Sequence, residues 1–107
     1  MNAAEVCIRA DRRAVEDVIG ASTLTVSVAP PESDVTRVEL VDGAVANVVD
    51  DDQDGFNTSV FVFQPDGSTV ARRLFDDLVT RSGWRLELRD EDSGDTLATR
   101  PVVLRSV

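Results

Sequence analysis

The chain has 107 residues and a net charge of −9, which suits one domain, 1–107, with a single core of two layers. It has no His, no Lys and no Tyr, and one Cys. That excludes histidine base chemistry, Schiff bases, a P-loop lysine, internal disulfides and the usual zinc, haem and iron–sulfur ligand sets.

Glu5-Val6-Cys7-Ile8-Arg9 is a short β-prone run, with Val6 and Ile8 on one side of the pleat and Cys7 on the other. Asp11 reads as an N-cap, and Ala14, Val15, Val18 and Ile19 then fall at helical spacing, with Gly20 as the stop. Ser22 to Ala29 alternates as a half-buried strand: Leu24, Val26 and Val28 on one face, Thr23, Thr25 and Ser27 on the other. Pro30 to Asp34 breaks it. Val35 to Val41 alternates again, Asp42-Gly43 is a two-residue hairpin signal, and Ala44 to Val49 returns as its partner. Asp50 to Asn57 reads as an acidic loop.

Thr58 to Gln64 is apolar on both faces through Val60, Phe61, Val62 and Phe63, as a central strand is. Ser68 reads as the N-cap of a second helix. Its buried stripe is Val70, Ala71, Leu74, Phe75, Leu78 and Val79, and its i,i+4 pairs are Arg72–Asp76, Arg73–Asp77 and Asp77–Arg81. Gly83 ends it. Trp84, Leu86 and Leu88 alternate with Arg85, Glu87 and Arg89, and Trp84 reads as a core plug. Asp90 to Asp95 is an acidic turn, and Thr96 to Leu104 is a last strand with Pro101 suited to an edge.

The order strand, helix, Gly, strand occurs twice, over 5–29 and 58–90. Two such units predict an α+β two-layer sandwich, an antiparallel sheet with two helices on one face. The specific arrangement expected is the split βαβ, or ferredoxin-like, one, with an inserted hairpin at 35–49 and an extra C-terminal edge strand. The alternative is a ββαββ-type α+β layer with the first helix peripheral.

The sharpest motif is Asp50-x-Asp52-x-Asp54-Gly55, which matches the opening of a calcium loop. Alternate acids in a tight loop converge their oxygens, and Phe56 follows with its backbone carbonyl. The match stops at the twelfth position, where the bidentate Glu is replaced by Phe61. Ca²⁺ over 50–57 is therefore the one cofactor reading, with Asp50, Asp52, Asp54 and the Phe56 carbonyl as ligands; otherwise no cofactor is expected. Without a bound ion, 50–57 reads as a solvated acidic connection. Cys7 reads as a small buried hydrophobe, and Arg12-Arg13 and Arg72-Arg73 as solvated surface.

The charge sits largely at two turns, and no basic residue lies between Arg37 and Arg72. That nominates Asp50, Asp51, Asp52, Asp54, Asp90, Glu91, Asp92 and Asp95 as partner-binding residues. The expected protein is a small acidic, non-enzymatic binding or regulatory module acting through protein contacts or self-association. The alternatives are an acidic inhibitor or decoy of a basic partner, and a calcium-loop protein. A chain at −9 repels phosphate backbones and anionic membranes, so neither nucleic acid nor membrane is expected. Without a signal-like N-terminus or a run of ~20 apolar residues, the expected location is cytoplasmic.

Overall fold

Most of the chain alternates apolar and polar residues, and alternation suits a sheet with one covered face. The computed structural model describes residues 2–30 and 34–100. The elements are β1 (Asn2–Ile8), α1 (Arg12–Gly20), β2 (Thr25–Val28), β3 (Val35–Leu40), β4 (Val45–Gln53), β5 (Phe56–Gln64), α2 (Val70–Arg81), β6 (Leu86–Asp90) and β7 (Thr96–Arg100). The strands form one seven-stranded antiparallel sheet in the order β2-β3-β4-β5-β1-β6-β7.

Register sorts the side chains. Val6 of β1 lies between Val60 of β5 and Leu88 of β6, and Ala4 and Ile8 continue the same face. Ala46 and Val48 extend it through β4, and Val38 through β3. All are buried beneath the helices, in one core with Val15 and Ile19 of α1 and Val70, Ala71, Leu74, Phe75 and Leu78 of α2. Burial of each large side chain stabilises by about 1.5–3 kcal/mol, which is what holds a helix as short as α1.

Caps fix where the helices begin. Asp11 Oδ1 accepts from the Ala14 N–H at 3.0 Å, as its position implies. The α2 start is shared. Ser68 Oγ accepts from Val70 N at 3.2 Å, and the Gln64 side chain, buried at the end of β5, accepts from Ala71 N at 2.9 Å. The residue at the cap position itself, Thr69, makes no side-chain bond. On the outer face Arg72–Asp76 and Arg81–Asp77 pair as expected, but Arg73 turns to Asp42 at 3.4 Å rather than to Asp77. Neither glycine is the helix stop: α1 runs through Gly20, and α2 ends because Ser82 is extended.

The α+β expectation, an antiparallel sheet with two helices, matches the structure. The sheet order is less usual than the split βαβ arrangement. β5-α2-β6 straddles one strand, β1, but β1-α1-β2 straddles three, β5, β4 and β3. The segment 35–49 is therefore no insertion, since both its strands lie inside the sheet. Loop closure explains the choice. β4 reaches β5 through the two-residue turn Asp54-Gly55, a far shorter loop than the one that would bring β2 there. β2 is reduced to four residues at the edge, with Val26 an extra residue in a bulge, so Leu24, Val26 and Val28 do not share a face. The peripheral first helix of the alternative layer is absent, since Val15 and Ile19 are core. The break at 31–33, and the part of the last strand expected beyond Arg100 with Pro101, lie outside the described residues.

The acidic loop expected at 50–57 is a hairpin. Its strands run to Gln53 and from Phe56, and only Asp54 and Gly55 turn. Both have positive φ, 50° and 85°, as a type I′ turn demands. Asp42 and Gly43 repeat the device at 60° and 74°. Gly55→Ala should therefore lower stability by about 1–2 kcal/mol. Gly83 is not in the left-handed region and has open space around its α-carbon, so Gly83→Ala should leave stability unchanged or raise it by about 0.4–1 kcal/mol. Urea denaturation of the two variants beside the parent checks both.

Candidate functional site

The odd-numbered residues of β1 and β5 point away from the helices. Three rows cross this second face. Val35, Val49, Ser59, Cys7, Glu87 and Thr99 form one. Arg37, Asn47, Phe61, Glu5 and Arg89 form the next. Glu39, Val45, Phe63 and Ala3 form the third. Among the described residues no helix covers them, yet Glu5, Cys7 and Ser59 are buried.

Their cover is a polar network under the far end of the β4–β5 hairpin. The Ser59 hydroxyl lies 2.7 Å from Glu5 Oε2 and 3.1 Å from Asp51 Oδ2, with one proton to serve both. Gln53 Nε2 donates to the same two oxygens, at 3.1 and 2.9 Å. Asp51 reaches this face because the ladder keeps register to Asp50 and shifts only between Asp50 and Gln53. Beside Glu5, Arg89 Nε donates to Glu87 Oε2 at 2.7 Å, and the guanidinium stands 3.8 Å from Asp54. Partial burial disfavours the Arg89 charge. The bond to Glu87, with the negative charges of Glu87 and Glu5, outweighs this and holds the guanidinium above its ordinary range. The Arg85 guanidinium lies over the buried Phe56 ring, 4.9 Å from its centroid.

Cys7 sits in the middle of this network. Burial pushes its thiol up to about 12, and the neighbouring Glu5 adds to the effect. A thiol held so firmly protonated is no nucleophile.

Among the described residues nothing covers the rest of the face. Phe63 belongs to β5, the fourth of seven strands, and is still 38% exposed. Phe61, Val45, Asn47 and Ala3 around it are half-buried. Arg37 is exposed at the β3 side and makes no ion pair among the described residues. Glu39, two residues along, accepts from Ser27 Oγ at 3.1 Å.

The nominated acids scatter. Asp50 points to the helix side and pairs with Arg12 at 3.4 Å. Asp51 enters the network, Asp52 is exposed, and Asp54 faces Arg89. The Phe56 backbone pairs with Gln53 in the ladder. Among the described residues no three Cys, Asp or Glu side chains converge as a metal shell. The D-x-D-x-D-G run lies at a strand end and a turn. Asp90 spends its carboxylate on its own turn, accepting from Asp92 N and Ser93 Oγ at 3.1 and 3.2 Å. Glu91, Asp92 and Asp95 are exposed around it. The two acidic turns do not merge. Asp50 is level with Ile8 through Thr58, whereas Asp90 is level with Ala4, toward the other end of β1.

Trp84 packs half-buried on the core, as a plug does. A groove between α2 and β7 is lined by Phe75, Val79 and Ala98, but its charged groups are engaged. Arg72 pairs with Asp76, and Arg100 donates to the Val79 and Ser82 carbonyls. The network of Glu5, Ser59, Gln53 and Arg89 has no motif in the sequence. The available signal was a Glu two residues from a Cys inside an apolar strand.

No family model, no curated protein and no solved structure matches the chain. Among the described residues no helix is long and apolar enough to cross a membrane.

Three outcomes follow from the network. Ser59→Ala deprives two carboxylates of a shared donor and should cost about 1–3 kcal/mol in urea denaturation. The raised Cys7 pKa stabilises the fold below the thiol's ordinary 9.0, and that contribution is lost as pH rises from there toward 12. Stability measured across this range should therefore fall, and Cys7→Ala should flatten the fall. In the native protein at neutral pH, iodoacetamide should leave Cys7 unmodified, and urea should make it react.

Proposed function

We propose that the protein is a small non-enzymatic binding or regulatory module that works through protein contact on the bare half of its sheet. Phe63 carries the reading. An aromatic side chain in the central strand of a wide sheet gains most by burial, and here it is left partly in water.

The sheet edges favour the face by contrast. Val26 bulges out of β2, and Leu97 is the extra residue of β7 opposite Leu88 and Arg89. Bulged edges resist strand addition. The decoy and calcium readings have less support, because Arg12 and Arg89 answer two of the acids on which they rest. The split βαβ arrangement belongs to this reading in altered form. β6, β1, β5 and β4 with the two helices make the unit, and the β2–β3 hairpin is the addition. The protein works in the cytoplasm, where a lone thiol stays reduced, and binds neither membrane nor nucleic acid.

A photo-crosslinking phenylalanine analogue tests the site. At position 63, in the protein's own host, it should yield adducts with protein. The same analogue at Thr80, exposed on α2, should not. No adduct from position 63, or equal adducts from both, would overturn the reading.

A further inference from the structure

The arrangement of charge and aromatic rings on the bare half points to its occupant. We infer that it is the same half of a second copy of this chain, packed face to face across a two-fold axis. The inference rests on the proposed contact face and names what covers it.

A two-fold in the plane of contact, running across the strands, lays each strand antiparallel over its own copy. Let the axis pass midway between the row of Arg37, Asn47 and Phe61 and the row of Glu39, Val45 and Phe63. These rows are adjacent, about 6.8 Å apart on one face. Arg37 then meets Glu39 of the second copy, and Glu39 meets its Arg37. Phe61 meets Phe63, and Phe63 meets Phe61. Asn47 meets Val45. The next residues on β1 bring Ala3 over Glu5, a small side chain over a buried one. One operation thus pairs each exposed Arg37 with a Glu39 of the other copy and covers Phe63, with no like charges opposed among these residues. Sheets packed this way stand ~10 Å apart, which suits interleaved phenylalanines.

Size and charge set the strength. The bare half spans four strands, β3 to β1, a footprint of roughly 20 by 20 Å, or ~400 Å², against ~800 Å² per partner in a standard interface. Each copy also brings a charge of −9. The pair is therefore weak, and general repulsion outweighs the two exposed ion pairs in its response to salt.

Sedimentation velocity with light scattering, from ~10 µM to ~1 mM protein and from ~0.1 to ~1 M NaCl, tests this. The expected result is a monomer–dimer equilibrium that tightens as salt rises. Arg37→Glu should weaken it roughly tenfold at low salt, and adding Glu39→Arg should restore it. Phe63→Asp should abolish it, with circular dichroism confirming the fold; the exposed Arg37 and Glu39 variants keep the test open if Phe63→Asp unfolds. A monomer at every concentration overturns the inference, as does a dimer that ignores Arg37→Glu or is not rescued by the swap. If that monomer still forms adducts with a different protein from position 63, the contact-face reading stands without its self-partner. If it forms none, both fall.

Discussion

Two helices cannot cover seven strands. Each helix is ~10 Å across, and the sheet is about 29 Å wide between its outer strands. α1 packs on β4, β2 and β5, and α2 on β1, β5 and β6, so the overhanging edges keep Val26, Val28 and Leu97 exposed. Among the described residues the opposite face has no helix layer. At one end the β4–β5 hairpin and its arginine partners close over a polar network, and at the other no described residue does. The buried Glu5 and the exposed Phe63 both lie on this second face, the first under the polar cover and the second beyond it.

Charge is arranged around the same constraint. With no lysine, every cation is a planar guanidinium able to hold a carboxylate and lie on a ring. Arg89 does the first and Arg85 the second, both at the roofed end of the face. Arg12 ties the helix side of the same hairpin to α1 through Asp50, and Arg73 ties the other Asp-Gly turn to α2 through Asp42. An acidic stretch with no base near it in sequence thus meets cations contributed by α1 and by β6. Exposed pairs of this kind add little stability each, but they locate the hairpin relative to the core.

Much of the architecture was legible. Alternation located the strands, the stripe of Val70, Leu74, Phe75 and Leu78 located α2, and the doubly apolar run at 60–63 marked β5 as central. Strand order was not legible, because periodicity reports which face a residue takes and is silent about which neighbour it meets. The hairpin at 50–57 is hidden in the sequence for a chemical reason. Aspartates are poor strand formers, and their tolerance here comes from arginines distant in sequence. Asp54-Gly55 carried the same turn signal as Asp42-Gly43, but the calcium-loop pattern masked it. The buried network was hidden because Glu5 and Ser59 are ordinary outward residues in their own strands. Only the pairing of β1 with β5 places them together.

β1 precedes the other described strands in sequence but is fifth in the order of the sheet, held between β5 and β6. The meander from β2 to β5 needs only short hairpin closures, while both seams of β1 join residues far apart in sequence. During synthesis the first strand has no partner until Phe56 to Gln64 has emerged, and its second seam waits for Leu86 to Asp90. The apolar side of β1, with Val6 and Ile8, thus waits for both neighbours, and its docking joins segments far apart in sequence into one cooperative unit.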